Sequence, residues 1–248
     1  MLEKNKIYQG NCLEVMKDID DASIDMILCD LPYGVTNNKK DIVIPFDKLW
    51  KQYERIIKDN GAIALFAQGI FYVDLVSSNR KLFRYDLVWD KKLCSGFLNS
   101  NRQPLRRHEQ IAIFYKKQPT YNPQFTTGMP SHSKGKCLNK HKNSNYGNYI
   151  EVDNTNKNNM DKFPISILQY QKTHPSKAVH PTQKSIELSE YLIKTYTNEN
   201  ELVLDNCIGS GTTAVACVNT NRDYIGIELQ QKYVDIANER IDKLELRD

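Results

Sequence analysis

Residues 201 to 229 constrain the fold more than any other stretch. Glu201-Leu-Val-Leu-Asp205 is an apolar run of strand length, Asn206 to Gly211 carries turn chemistry, Thr212 to Asn221 is spaced as a helix, and Tyr224 to Leu229 is a second apolar run. Strand, glycine turn, helix and strand make a βαβ unit, whose strands run parallel. Parallel strands are buried on both faces, so helices must cover the sheet above and below. Two amphipathic stretches answer that need. They are Lys184 to Thr197, with Ile186, Leu188, Leu192, Ile193 and Tyr196 on one face, and Gln231 to Leu246, with Val234, Ala237, Ile241 and Leu244 turned inward. At 248 residues and 40% hydrophobic content the chain can bury a full α/β core.

The amino-terminal half repeats the logic. Lys6 to Asn11 reads as a strand, Cys12 to Ile19 as a helix and Ile24 to Asp30 as a buried strand that breaks into Asp30-Leu31-Pro32-Tyr33-Gly34. Asp47 is expected to cap a helix through Ile57, which Asn60-Gly61 would end. A strand follows at Ala62 to Phe66, then a helix at Ile70 to Ser78 and strands at Phe83 to Trp89 and Glu109 to Tyr115. Lys91 to Arg107 reads as a basic polar loop. Residues 118 to 176 lack periodicity and hold Asn-rich clusters at 143–148 and 154–159, as an inserted subregion would.

The strand-ending tetrad suits an amino group on a flat ring. An exocyclic amine is a poor nucleophile because its lone pair is delocalised into the ring. Asp30 and a backbone carbonyl can each accept one N–H and favour a pyramidal nitrogen, while Tyr33 stacks on the ring. A turn in which Pro and Gly only supply geometry is the plainer reading of the same residues. Residues 35 to 45, directly after it, are placed to close over a substrate.

Gly209-Ser210-Gly211 permits close backbone approach by a ligand, and Glu228 stands 17 residues after Gly211, where an acid can accept hydrogen bonds from ribose hydroxyls. An adenosine derivative fits. The chain lacks both the third glycine of a dinucleotide fingerprint and the lysine of a P-loop, so a pyrophosphate is not required. His180-Pro-Thr182-Gln-Lys184 leads into the preceding helix. Thr182 can cap it, and Thr182 and Lys184 can reach an amino-acid carboxylate beside the nucleoside.

Charge points to the partner. Residues 100 to 184 hold fourteen Lys and Arg against four Asp and Glu, whereas the rest of the chain is net acidic. The basic segment is interleaved with Tyr115, Tyr121, Phe125, Tyr146 and Tyr149, a pattern suited to nucleic acid. Six cysteines without a C-x-x-C pair read as reduced thiols of a cytosolic protein. Cys137 and His141 are too few for a metal site, so no metal is expected. Neither a signal core nor an 18-residue apolar run is present.

Asp30-Leu31-Pro32-Tyr33, followed far downstream by His180-Pro-Thr-Gln-Lys184 and then Asp205-Asn-Cys-Ile-Gly-Ser-Gly-Thr-Thr213, resembles the β-class amino-group DNA methyltransferases in motif content and order. Trp89-Asp-Lys91 and Leu105-Arg-Arg-His-Glu109 extend the likeness. The resemblance implies a Rossmann-like S-adenosylmethionine-dependent fold in two halves, 1–117 catalytic and 177–248 cofactor-binding, around a target-recognition region at 118–176. It implies that Asp30 and the Leu31 carbonyl hold the target amine while Pro32 shapes the turn and Tyr33 stacks on the base. S-Adenosyl-L-methionine would be bound by Asn11, Asp30, His180, Thr182, Lys184, Asp205, Cys207, Gly209, Ser210, Gly211, Thr212 and Glu228, with Glu228 on the ribose and Thr182 and Lys184 on the methionine carboxylate.

Duplex DNA would be the partner, gripped by Arg102, Arg106, Arg107 and Lys134, with a homodimer and a cognate restriction endonuclease as open possibilities. An opening Asp resembles the adenine-N6 enzymes more than the cytosine-N4 enzymes, which often begin with Ser. The chain departs from the family pattern at Leu31, where the first proline is usual, and at Asn206-Cys207, where Pro-Phe is usual. A silent nucleic-acid-binding protein on the same fold is the rival from another class.

Overall fold

The computed structural model describes residues 2–35, 41–129, 160–172 and 184–245. In chain order its elements are β1 (Lys6–Gln9), α1 (Cys12–Val15) with a 3-10 turn at Met16–Asp18, β2 (Ile24–Asp30), α2 (Phe46–Ile56), β3 (Ile57–Ala67), α3 (Gly69–Ser78) and β4 (Phe83–Ser95). A 3-10 turn at Phe97–Asn99 leads to β5 (Arg106–Phe114), β6 (Thr126–Thr127), β7 (Asp161–Lys162) and β8 (Ile167–Gln169). The chain then forms α4 (Ile186–Tyr196), β9 (Leu202–Asp205), α5 (Thr212–Asn219), β10 (Asp223–Glu228) and α6 (Gln231–Glu245). They fall into two compact units, one of Met1–Asn122 with Ser166–Asp248, the other Pro123–Ile165.

The first unit is built on an eight-stranded sheet in the order β1-β10-β9-β2-β3-β5-β4-β8. β5 is antiparallel to its neighbours β3 and β4, and every other pairing is parallel. Burial follows from the period of two along each strand. Ile27 and Cys29 pack with Leu49, Trp50 and Tyr53 of α2 and with Phe71 and Leu75 of α3. Met26 and Leu28 pack on the other face with Leu188, Leu192 and Ile193 of α4 and with Ala214 and Ala216 of α5. Helices therefore cover both faces, and the middle of each central strand is apolar, as at Met26–Cys29 and Ala62–Ala67.

The topology creates a crevice. From β2 the chain crosses through α2 to β3 on one side, and from β9 it crosses through α5 to β10 on the other. Adjacent β2 and β9 thus bracket the point where winding reverses, and ligands bind outside the carboxyl ends of such strands. Asp25 joins the two strands at the opposite end. Its Oδ2 accepts the Leu202 N–H at 3.0 Å and its Oδ1 meets Lys58 Nζ at 2.6 Å.

Several local expectations are corrected. Pro45, not Asp47, is the residue before α2, and Asn60-Gly61 lies inside β3 because helix passes directly into strand. A Cβ at Gly61 would stand 2.8 Å from the Asp25 carbonyl oxygen, so this glycine serves close strand approach. Lys91 to Arg107 is not all loop, since β4 runs to Ser95 and β5 starts at Arg106. Ile167–Gln169 of the irregular stretch pairs with β4 in the main sheet. Ser185, rather than Thr182, caps α4 by accepting the Leu188 N–H.

In the second unit, β6 and β7 pair antiparallel and Phe125 packs on Phe163 with ring centroids 4.9 Å apart. No helix among the described residues is long and apolar enough to cross a membrane.

Candidate active site

β2 ends on Asp30, β9 on Asp205 and β10 on Glu228, all at the carboxyl edge. β2 and β9 are adjacent and parallel, with Met26 against Val203 and Ile27 against Leu204, so their ends lie side by side. The tetrad and the glycine turn therefore open on one crevice, although 179 positions separate Asp30 from Gly209.

Asp30 is engaged through both oxygens. Oδ1 accepts the Tyr33 hydroxyl at 2.8 Å and Oδ2 faces Lys184 Nζ at 3.1 Å. Burial pushes its pKa up, and Glu109 adds to this, while the Lys184 ammonium and Tyr33 hydroxyl work against it. Tyr33 is held in turn by Phe71, stacked at 4.7 Å. Leu31 is buried, so it takes the place of a proline as a core residue. Beyond the tetrad, Gly34 N–H and Val35 N–H both donate to the Asp41 carboxylate at 2.9 and 3.0 Å, which draws the start of the loop together. Its residues 36–40 lie outside the described residues.

Lys184 is the unexpected member. Its ammonium donates to Glu109 Oε2 at 2.8 Å, and the other oxygen of Glu109 meets Lys91 Nζ at 3.2 Å. The rings of Phe66, Trp89 and Tyr33 surround Lys184 Nζ at 5.0, 5.8 and 5.8 Å. Burial by itself raises a carboxyl pKa, but Lys184 and Lys91 outweigh it and hold Glu109 down at about 2. Glu109 and Lys91 stood in the sequence only as parts of family-like runs. The missed signal was the unbroken apolar run Ile111-Ala-Ile-Phe114, buried on both faces, in which a period of two places Glu109 on the side of Ile111 and Ile113.

The glycine turn is built by the side chains around it. Asp205 accepts the Thr213 hydroxyl at 2.6 Å and the Cys207 N–H at 3.0 Å, and burial lifts its pKa to about 6 despite both bonds. Glu228 accepts the N–H of Gly209 at 3.1 Å and of Gln230 at 2.8 Å. Arg240 donates to the Ser210 carbonyl and hydroxyl, and Thr212 is buried at the first turn of α5.

The two glycines differ. A Cβ at Gly209 would find nothing closer than the Cys207 carbonyl at 4.0 Å, whereas one at Gly211 would meet Ala237 Cβ at 2.7 Å. Only Gly209 leaves room for a ligand, and Gly211 serves helix packing. Asn11 caps α1 by accepting the Leu13 N–H at 2.9 Å. Asn206 is buried and its Oδ1 accepts the Tyr53 hydroxyl, which ties the turn to α2.

Arg107 forks onto Asp90 at 2.6 and 2.9 Å, and Arg106 donates to Gln68 at 2.9 Å. Both belong to the β4–β5 ribbon. Its strands pair with each other past Gln110 and Asp90, where β3 and β8 stop, so the ribbon stands on the same edge as Asp30. At its turn Phe97 is 78% and Leu98 99% exposed. Arg102 lies beyond that turn and is exposed. His180, Thr182, Lys134 and the Cys137–His141 pair lie outside the described residues.

Among the described residues no group of three or more His, Cys, Asp or Glu is placed to hold a metal. A polar hollow of about 450 Å³ opens at the amino-terminal edge around Asn5, Arg222 and Asp223. Those groups are used in structural bonds to Thr197, Thr220 and Lys4, so it offers no reactive side chain.

Similarity to known proteins agrees with this fold. Type II methyltransferase M.BglII of Bacillus subtilis is 29% identical over 252 residues, spanning 94% of this chain and 68% of its own. The fold superposes on the M1.HpyAVI–SAM complex with a TM-score of 0.62 at 24% identity, covering 95% of this chain and 98% of the other. It superposes on PvuII DNA methyltransferase (cytosine-N4-specific) at 0.68 and 17%, covering 94% and 85%. The N6_N4_Mtase model, described as DNA methylase, matches residues 24–239, and the chain belongs to that family of amino-group DNA methyltransferases.

Proposed function

We propose that the protein transfers a methyl group from S-adenosyl-L-methionine to the N6 amine of adenine flipped out of duplex DNA. The observation that carries this reading is Asp30 at the end of β2, its carboxylate held by Tyr33 and Lys184 beside the turn that carries Gly209. A carboxylate has about four lone-pair sites. Two are used here, so Asp30 can still accept an N–H of the amine. The Leu31 carbonyl is the second acceptor, and Tyr33, backed by Phe71, offers its ring to the base.

The residues fit the cofactor. Gly209 leaves open space where backbone must approach, and Glu228 keeps lone pairs for ribose hydroxyls after accepting two backbone N–H groups. Asp205 and Asn206 keep the turn in shape. When bound, the cofactor would supply a methyl on a sulfonium sulfur, with the neutral thioether as leaving group and the proton of the methylated amine released to solvent. The chain's own contribution is orientation, together with a negative carboxylate beside a nitrogen that becomes positive. Lys184 serves Asp30 in this reading, which leaves the methionine carboxylate to Thr182, a residue outside the described ones.

Adenine is favoured by the Asp that opens the tetrad. The cytosine-N4 reading is the alternative, and the PvuII likeness favours it. Nucleoside mass spectrometry of unmethylated duplex DNA incubated with the protein and S-adenosyl-L-methionine is expected to yield N6-methyladenine. N4-methylcytosine in its place would overturn the adenine assignment, and neither product would overturn the activity.

DNA is assigned to the β4–β5 ribbon, and residues 123–165, rather than all of 118–176, are read as the target-recognition region. From Lys91 to Arg107 the chain carries five Lys and Arg and no acid, with Phe97 and Leu98 exposed between them. Arg102→Ala and Arg106→Ala are each expected to lower the slope of log affinity against log salt by roughly 1. Arg107→Ala should change it less, because Asp90 already neutralises that guanidinium. Slopes unchanged in both of the first two variants would remove the ribbon from the interface.

A further inference from the structure

Four charges of alternating sign run inward from the tetrad: Asp30, Lys184, Glu109 and Lys91. Their chemistry is unusual for a core. Lys91 and Glu109 side chains are 4% and 8% exposed and Lys184 12%, depths at which a charge survives only if it is paired. Glu109 is the hinge of the chain. It spans both lysines with its two oxygens, and its 2.8 Å hydrogen bond to Lys184 is shorter than the 3.1 Å separation of Lys184 from Asp30. The register explains how it gets there. Glu109 pairs with Trp89 across β4–β5, one step outside the Ala67–Gln110 pair, and so stands at the sheet edge where β2 delivers Asp30.

We propose that Glu109, steadied by Lys91, is a positioning residue for Asp30: it restrains the Lys184 ammonium, so that Asp30 keeps lone pairs for the target amine and the buried cluster stays neutral. The proposal rests on the reading of Asp30 as the amine acceptor. Two carboxylates balance two ammoniums. Without Glu109 the cluster carries one excess positive charge beside a nitrogen that is itself becoming positive, and among the described residues Lys184 is left with Asp30 as its only carboxylate. Both effects oppose transfer, and neither requires contact between Glu109 and DNA.

The test uses charge balance, which a merely structural role would ignore. Glu109→Gln is expected to lower the single-turnover methylation rate on unmethylated duplex DNA about 10- to 100-fold, with affinity for S-adenosyl-L-methionine held within about threefold. Glu109→Asp is expected to recover part of the loss. Lys184→Met leaves an excess negative charge, and Asp30 then loses the partner that most lowers its pKa while Glu109 still raises it. The acid limb of its pH–rate profile therefore moves to higher pH. The double variant Glu109→Gln/Lys184→Met is balanced again, so its limb returns toward the parent and the two losses do not add.

Tyr33, Cys29, Lys172 and Asp205 also face Asp30 and are the same in every variant. If Glu109→Gln does not fold, the comparison of Lys184→Met with the double carries the test alone. Additive losses, or a double whose acid limb stays with Lys184→Met, would overturn the proposal. An Asp30→Asn protein that transfers at the parent rate would instead overturn the reading beneath it.

Discussion

Asp30→Ala is expected to reduce the single-turnover methylation rate by about 10²- to 10⁴-fold, the range lost when a positioned group acting directly on the reacting atoms is removed. Two losses combine. The amine no longer has a carboxylate to accept its hydrogen, and Lys184 and Lys91 are left with Glu109 alone, giving a buried excess positive charge. Asp30→Asn separates them, because it keeps an acceptor oxygen and removes the charge. A rate between those of the parent and the alanine variant would show that both matter. The assay follows tritiated methyl into unmethylated duplex DNA at saturating donor, with melting temperature as the control for folding. An alanine variant within threefold of the parent would remove Asp30 from the chemistry.

The second large effect concerns stability. Gly211 has φ +83° and its added Cβ would lie 2.7 Å from Ala237 Cβ and 3.1 Å from Ala237 Cα, so α6 would have to move away from α5. Gly211→Ala combines a left-handed backbone cost of about 1–2 kcal/mol with overpacking of about 1–3 kcal/mol. For a chain of this size that corresponds to a fall in melting temperature of roughly 4–20 °C. Gly209→Ala provides the contrast. Its φ is +53° but its Cβ would point into open space, so only the backbone cost applies and stability should fall less. Donor affinity should move the other way, with Gly209→Ala losing more because the backbone must approach the ligand there. Calorimetry and donor titration of both variants measure the split. A Gly211→Ala protein melting within 2 °C of the parent would contradict the packing argument.

Much of this molecule is legible from local chemistry. Ile24 to Asp30 reads as a strand because Met26-Ile-Leu-Cys29 is an apolar run, and the structure ends β2 at Asp30. The turn at 206–211 and the helices at its two sides are legible for the same reason, since glycine placement and apolar period are local properties. Misreadings occur where one local signal competes with another. Asn60-Gly61 has helix-ending chemistry, yet Gly61 is used for close approach to the Asp25 carbonyl. The departure at Asn206 also acquires a purpose only in three dimensions, as the acceptor for Tyr53 from a distant helix.

The amino-acid sequence by itself determined the βαβ units, the two-faced burial of the sheet and the identity of the strand-ending groups, because periodicity, turn residues and side-chain chemistry act over a few positions. Tertiary structure alone decided that Lys184 belongs with Asp30 and Glu109, which lie 154 and 75 positions away. Strand order and antiparallel register set that meeting, and neither is written in the neighbours of any one of the three residues. Burial then makes the pairing compulsory, since an ammonium removed from water must find its countercharges wherever the sheet brings them.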